Sequence, residues 1–413
     1  MTQPRILIAH PGATSLLYPL VGIVGGLDVD LAFHTSVFFV PGGALDRMLS
    51  VLPARIRDRL RRQLSRRAHP DVNPALVHQH PLGEILHLAA RSPEKARRAL
   101  YARNERFDRA IARLIARQRP DIYVGFDGSA EYSLEACRAS GVPSVLFQAI
   151  GHIDYGYRIL AEEKKLHAAF ANVDIDLDSR EWHRRNAAEA LLADHIVVPS
   201  EYVRDTLIAE GRDERGIHLI PYPIDTKRFH PTATPRTGRG LRLLFAGQIG
   251  MRKGVIYALQ ALQRLSRDDI ELTLVGGLPD GTSWLEPYRG LYEHIPSVPY
   301  NEMPALFQAA DAFVFPSLHE GSAMAINEAL ASGLPAIVTP NSGSIMRDGV
   351  DGFLVPLRDV DAIADRITRL ANDPALRLAM AHSARARAEA HDFAAYRSAF
   401  ATLIDRILSG HTA

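Results

Sequence analysis

A chain of 413 residues is too long for one ordinary domain and suits two of about 200 residues. Its 47% hydrophobic and 23% charged content is that of a soluble globular protein, and no apolar run approaches the roughly 18 residues of a spanning helix. The single cysteine, Cys137, excludes an internal disulfide framework and suits a reducing cytosol, while the net charge of +1 conceals a basic stretch, Arg47 to Arg119, with 18 Lys or Arg against 6 Asp or Glu.

No secretory leader opens the chain: Met1-Thr-Gln-Pro-Arg-Ile runs directly into a strand, Arg5 to Ala9. The turn at Gly12 feeds an apolar helix, Ser15 to Val24, and Val29 to Phe33 is a second strand, so the chain opens as a βαβ unit of a doubly wound sheet. The absence of G-x-G-x-x-G argues against a dinucleotide-dependent dehydrogenase. Asp46 to Ala68 follows as a basic helix. Leu49, Leu52, Ile56, Leu60 and Leu64 recur at helical spacing between arginines. Such a helix can lie peripherally on an anionic bilayer, and its stripe can equally pack on the protein's own core. Nucleic acid is not expected as a partner, because aromatics are nearly absent among the arginines.

A helix over Pro93 to Arg117 leads to a strand, Ile122 to Gly125, and then to Asp127. Helix Ala130 to Ala139, strand Ser144 to Gln148 and the loop bearing His152 come next. Asp127 and His152 enter as site candidates because open α/β sheets bind ligands beyond the carboxyl ends of their strands. Arg158 to Asp194 reads as long, charged and helical, followed by a strand capped by Ser200 and by Ile217 to Tyr222. Thr232 to Arg239 is a connector. The pattern then restarts: strand Leu241 to Phe245, a glycine-bearing loop ending in Lys253-Gly254, helix Val255 to Leu265, strand Glu271 to Val275 with Gly276-Gly277, a short strand at Ser297 to Pro299, and helix Met303 to Ala310. The tail, Asp359 to Leu408, has a helical pattern throughout.

The most informative stretch is Phe313-Val-Phe-Pro-Ser-Leu-His-Glu-Gly-Ser-Ala-Met-Ala-Ile-Asn-Glu-Ala-Leu-Ala-Ser-Gly-Leu-Pro-Ala-Ile-Val338. It reads as a strand stopped by Pro316, a loop carrying Glu320, a helix from Ser322 to Ala331 carrying Glu328, a Gly333 stop, and another strand. The free N–H groups of the first helical turn, Gly321, Ser322, Ala323 and Met324, are expected to form an anion site, with Ser322 as N-cap. Two acids beside an anion site are consistent with a ligand that is both anionic and rich in hydroxyls, such as a nucleoside diphosphate sugar.

The Glu-(seven residues)-Glu spacing of Glu320 and Glu328 resembles the signature of glycosyltransferase family 4, the retaining, nucleotide-sugar-dependent transferases of GT-B fold. Lys253-Gly254, Ala193 to Val203 and Pro221 to Pro231 resemble further segments of that family in the same order. The resemblance implies two Rossmann-like doubly wound parallel-sheet domains facing across a cleft. The first is an acceptor-binding domain over 1–222 and the second a nucleotide-sugar domain over 223–390. A last helix, within 391–413, crosses back to the first.

It also implies roles. Glu320 faces the donor sugar, His152 lies near the reaction centre, Glu328 accepts from the ribose, and Gly276-Gly277 sits beside the base. Ser342 and Gly343 approach the phosphates or sugar, Gly12 approaches the donor, and Asp127 stands on the acceptor side. Lys253 grips the diphosphate; Gln248 replaces the family's arginine, and Arg252 is the candidate to restore that charge. The implied activity is transfer of a hexose, without metal or a tightly bound cofactor, from a UDP- or GDP-sugar to a saccharide or lipid-linked acceptor. This suits envelope polysaccharide or glycolipid synthesis in the cytoplasm, or peripherally on the inner face of the membrane. Alternatives are a nucleotide-sugar epimerase of the same build and a non-catalytic nucleotide-binding module.

Overall fold

The computed structural model describes the chain except for residues 1–2, 13–16, 52, 66, 71, 89–91, 169–179, 233–239, 279–281 and 411–413. The start of the helix expected from Ser15, the middle of the charged helical stretch and nearly all of the connector after Thr232 therefore lie outside the described residues.

Two all-parallel sheets organise the rest. The first contains β1 (Arg5–Ala9), β2 (Asp30–Thr35), β3 (Val77–Gln79), β4 (Ile122–Phe126), β5 (Ser144–Phe147), β6 (His195–Val198) and β7 (Ile217–Leu219), in spatial order β3-β2-β1-β4-β5-β6-β7. The second contains β8 (Leu241–Ala246), β9 (Ile270–Val275), β10 (Glu293–Ile295), β11 (Ala312–Phe315), β12 (Ala336–Val338) and β13 (Gly352–Leu354), in order β10-β9-β8-β11-β12-β13. Strands such as β4 (IYVGF) and β11 (AFVF) are buried along their whole length, because helices cover both faces of a parallel sheet. In each sheet the strand order reverses next to the first strand, between β1 and β4 and between β8 and β11. At such a reversal neighbouring crossovers leave in opposite directions and open a crevice at the carboxyl edge.

Apolar clusters fill both faces of the first sheet and surround the second. The last helix, Phe393–Leu408, belongs to the first sheet's core: Tyr396, Phe400, Leu403 and Ile404 are buried with Ile6, Ile8, Leu20 and Val24, and the Phe400 ring lies 5.6 Å from that of Phe147. Residues that follow the second sheet thus seal the first. Helix Ile153–Leu166 reaches the other way. Its Glu163 accepts from the Tyr257 hydroxyl at 2.9 Å and from Arg358 Nε at 2.9 Å.

Three local expectations differ from the structure. The basic stretch is two helices, Ala44–Leu49 and Ala54–Ser65, because Pro53 lacks the N–H needed to continue one helix into the next. The short strand expected at Ser297 to Pro299 lies instead at Glu293–Ile295, paired with β9, since Pro296 and Pro299 remove ladder donors. The helix expected from Ser322 begins at Met324, and its cap residue is Ala323, with no side-chain cap. No helix among the described residues is long and apolar enough to cross a membrane.

Candidate functional site

The two carboxyl edges meet. After β11, Pro316 ends the strand and the chain passes through Ser317, Leu318 and His319 to Glu320 and Gly321, all buried. This loop abuts the loops after β5 and β6. Gly151 N–H donates to the Glu320 carbonyl at 3.0 Å, and Ser200 Oγ donates to the Gly321 carbonyl at 2.5 Å. A Cβ on Gly321 would lie 1.7 Å from the Ala149 carbonyl oxygen, so only glycine allows this approach of the two backbones.

Glu320 is 7% exposed and is held by three groups. Lys253 Nζ contacts its Oε1, Arg252 Nη1 lies 2.8 Å from the same oxygen, and Ser317 Oγ donates at 3.1 Å. Lys253 sits in a short turn, Met251–Lys253, between β8 and the helix Val255–Leu265. Its ammonium is 5.0 Å above the Phe315 ring, and burial lowers its pKa despite the attraction of Glu320. Arg252 therefore faces the site, and it also donates to the His319 carbonyl at 3.0 Å. Gln248 is exposed.

Beside this cluster lies a cavity of about 530 Å³ lined by Gln248, Gly276, Gly277, Tyr300, Met303 and Glu328 among others. Glu328, 9% exposed, accepts from the Tyr300 hydroxyl at 2.9 Å, and burial pushes its pKa up to about 7. Gly276 has φ +146°, and a Cβ there would stand 1.9 Å from the Gly247 carbonyl oxygen. The loop after β9 thus lies directly against the loop after β8 to form the cavity wall.

The helix start is less open than the sequence implies. Ala323 N–H donates to the Ser342 carbonyl at 3.1 Å, so one of the four expected donors is already used. Ser322 does not cap the helix; its hydroxyl is buried with no partner among the described residues, next to Glu320. Ser342 and Gly343 support the Glu320 loop from behind. A Cβ on Gly343 would lie 1.9 Å from the Gly321 carbonyl oxygen, and Asn341 Nδ2 donates to the Leu318 carbonyl at 2.8 Å.

On the first sheet, Asp127 follows β4 and accepts from Ala149 N–H at 3.2 Å, which places it one residue contact from Gly321. Burial pushes its pKa up to about 7. Gly12 follows β1, with its N–H and carbonyl on the His10 ring. His152 directly follows Gly151, whose N–H donates to the Glu320 carbonyl, and lies within the field of His319. It caps helix Ile153–Leu166, its Nδ1 accepts from Asp154 N–H at 3.3 Å, and Asp154, Glu210, Ala187 and His183 lie around its ring.

The histidine that joins the two halves is His319, which sequence reasoning missed. Its Nδ1 is 2.6 Å from the Tyr202 hydroxyl, and its ring packs on Gly151 and Gly156. Burial, reinforced by Arg252, lowers its pKa to about 4, so it is neutral. Its position immediately before Glu320 was the available signal. Tyr300 was also missed, because nothing local in its sequence ties it to Glu328.

Residues 240–373, which span the second sheet, match the family described as Glycosyl transferases group 1. Among curated proteins, the chain is 39% identical over 80 residues to the UDP-Gal:alpha-D-GlcNAc-diphosphoundecaprenol alpha-1,3-galactosyltransferase of Escherichia coli, covering 19% of this chain and 21% of that one. It is 32% identical over 248 residues to the D-inositol 3-phosphate glycosyltransferase of Paenarthrobacter aurescens (strain TC1), covering 54% of this chain and 60% of that one. The chain thus spans 21%, 52% and 60% of the length of three curated relatives it matches. Among solved structures, Anabaena HepE in complex with UDP superposes with a TM-score of 0.63 at 13% identity, covering 97% of this chain and 99% of that one. The fold is GT-B: two Rossmann-like parallel-sheet domains facing across a cleft.

Proposed function

We propose that this protein is a retaining glycosyltransferase of family 4. In this reading it transfers a hexose from a nucleoside diphosphate sugar, with UDP or GDP as the nucleotide, to a hydroxyl of a saccharide or lipid-linked acceptor. The observation that carries the reading is the convergence of Lys253 and Arg252 on Glu320, at the carboxyl edge, beside a cavity walled by Gly276, Gly277 and Glu328. The cavity takes the nucleoside, with Glu328 accepting from the ribose hydroxyls. The diphosphate lies over the two cations, and the sugar meets Glu320 and the unpartnered Ser322 hydroxyl, a buried polar group with capacity to spare.

In the reaction, the bond from the anomeric carbon to the β-phosphate oxygen breaks. A bond from that carbon to the acceptor oxygen forms, and the acceptor's proton leaves with the released diphosphate. Charge grows on the leaving group, and Lys253 and Arg252 are positioned to stabilise it without a metal. On closure, the diphosphate competes with Glu320 for these cations, which frees the carboxylate to accept from the sugar. Asp127, beside Ala149, faces the acceptor side. Residues 1–222 act as the acceptor domain and 223–390 as the donor domain, with the last helix tying the second to the first. The protein is read as cytoplasmic, working in envelope polysaccharide or glycolipid synthesis. Exposed Met48, on helix Ala44–Leu49, and Val51, just before the basic helix Ala54–Ser65, are the contact proposed for the membrane's inner face.

A thermal-shift panel of UDP-, GDP-, ADP- and TDP-sugars tests the donor reading, since a bound ligand stabilises by RT ln(1 + [L]/Kd). One nucleotide should stand out, and stabilisation should vanish in a Glu328→Ala, Lys253→Met double variant. A flat panel would sink the proposal.

A further inference from the structure

We propose that the carboxyl edge of the first sheet holds an oxyanion subsite built on Arg67 and Arg103, and that the acceptor carries a phosphate group bound there. This deepens the transferase reading and rests on it. Glu84, 1% exposed, accepts from Arg67 Nη2 at 2.6 Å and from Arg103 Nη1 at 2.7 Å. Two guanidinium groups thus share one carboxylate, and among the described residues one positive charge is left without a protein counterion in this cluster.

The surplus is also visible atom by atom. Arg67 Nη1 is buried with no hydrogen-bond partner among the described residues. An unpaired guanidinium N–H removed from water is costly, and an oxyanion acceptor would remove that cost. Arg103 Nη2, which donates to Asn104 Oδ1, lies 3.7 Å from where a Gly12 Cβ would stand, so the second guanidinium overlies the bare backbone after β1. His10 beside them is kept neutral by burial and by both arginines, with a pKa lowered to about 4, and supplies no counter-charge.

Three buried hydroxyls in the same quarter also lack partners among the described residues: Tyr18, Thr35 and Ser36. Tyr18 lies within the field of Arg67. The Arg67 carbonyl accepts from Phe39 N–H at 2.9 Å, which holds Arg67 beside the segment that Thr35 and Ser36 begin. Around this corner the spare Arg67 N–H and the three hydroxyls can all donate. A phosphate, with several acceptor oxygens and a negative charge, is the complementary group. The corner is also placed for acceptor recognition. Arg67 is tied to the segment after β2, and from β2 through β1 and β4 to β5 is three strand spacings, about 15 Å; the loop after β5 is where Ala149 meets Gly321. An acceptor that spans the two carries its phosphate about two sugar widths from the attacked hydroxyl. This gives a use to the excess of arginine between residues 47 and 119 that the donor site does not supply.

The test uses the full chain with its donor site saturated by the nucleoside diphosphate that stabilises it most. Inorganic phosphate and glycerol 1-phosphate are titrated by calorimetry, and phosphatidic acid vesicles are tested by co-sedimentation. Arg67→Lys keeps a cation beside Glu84 and removes the fixed Nη1 of the guanidinium fork; Tyr18→Phe removes one hydroxyl and leaves the packing intact. The proposal expects at least tenfold weaker phosphate or vesicle binding in Arg67→Lys and a several-fold loss in Tyr18→Phe, with nucleotide affinity unchanged. Sensitivity only in the vesicle arm supports the site with a lipid as the phosphate's carrier. Sensitivity to the soluble phosphates supports it with a free phosphorylated acceptor. Binding indifferent to both substitutions, or no binding in any arm, overturns it. Failure of the transferase reading would appear separately, as absence of nucleotide binding in the unaltered protein.

Discussion

Replacing Lys253 by Met separates the role of its charge from its role in packing. The thioether side chain keeps the aliphatic stem over Phe315 and removes only the ammonium. Breaking a buried ion pair costs about 3–5 kcal/mol when the partner is left with an uncompensated charge. Glu320 would not be left so, because Arg252 Nη1 remains 2.8 Å and Ser317 Oγ 3.1 Å from its Oε1. Lys253 also carries a desolvation penalty, seen in its lowered pKa, that the substitution removes. The expected loss of folding stability is therefore about 1 kcal/mol or less, near that of an exposed pair. Turnover should respond far more. Losing one pre-positioned donor to the developing charge costs about 2.7–4 kcal/mol of barrier, or roughly 10²–10³-fold in kcat. Release of nucleoside diphosphate under saturating donor and acceptor, with melting recorded in parallel, measures both. A kcat within threefold of the unsubstituted protein, at an unchanged melting midpoint, would refute the assignment. Arg252→Met in the same assay tells whether Arg252 supplies the charge that Gln248 does not.

Gly156→Ala places a Cβ 2.3 Å from His319 Nε2 in a ring already fixed by Tyr202, so overpacking should cost about 1–3 kcal/mol; chemical denaturation should show the loss, and His319→Ala should relieve part of it. Glu328 holds its proton to about pH 7 in the folded chain against 4.5 when unfolded, so between these values the folded state binds more protons and stability falls as pH rises. The penalty is fully present above pH 7 and amounts to roughly 3 kcal/mol. Glu328→Gln removes it, and the melting advantage of the variant over the parent should widen from pH 5 to pH 8; a constant gap would contradict the shift. The ionised carboxylate is also the better acceptor for ribose, so nucleotide affinity should strengthen from pH 6 to pH 8 in the parent and stay level in Glu328→Gln. Gly276→Ala, with its Cβ 1.9 Å from the Gly247 carbonyl and φ at +146°, should abolish nucleotide binding while leaving the first sheet's amides protected from exchange. Incubation with donor alone, followed by product analysis, distinguishes transfer from epimerisation, since an epimerase needs no acceptor.

Local signals determined the alternation of buried strand and helix, the glycine turns and the Glu320–Glu328 spacing. Each of these depends on residues within one or two turns of each other: Pro316 stops β11, Gly333 stops the following helix, and all-apolar runs such as Phe313 to Phe315 are stable only inside a parallel sheet. The proline break at residue 53 was equally local and was overlooked. Other features depend on what another part of the chain presents, and only the tertiary structure decided them. The first helical turn's Ala323 N–H meets the Ser342 carbonyl, 19 residues later, and Ser322 is left without a capping role. His152 turned to Asp154 because helix Ile153–Leu166 begins there, whereas His319 found Tyr202, 117 residues away. Arg252 resolved toward Glu320 for the same reason: an ion pair's geometry is set by where two loops meet, and a sequence records the charges but not their separation.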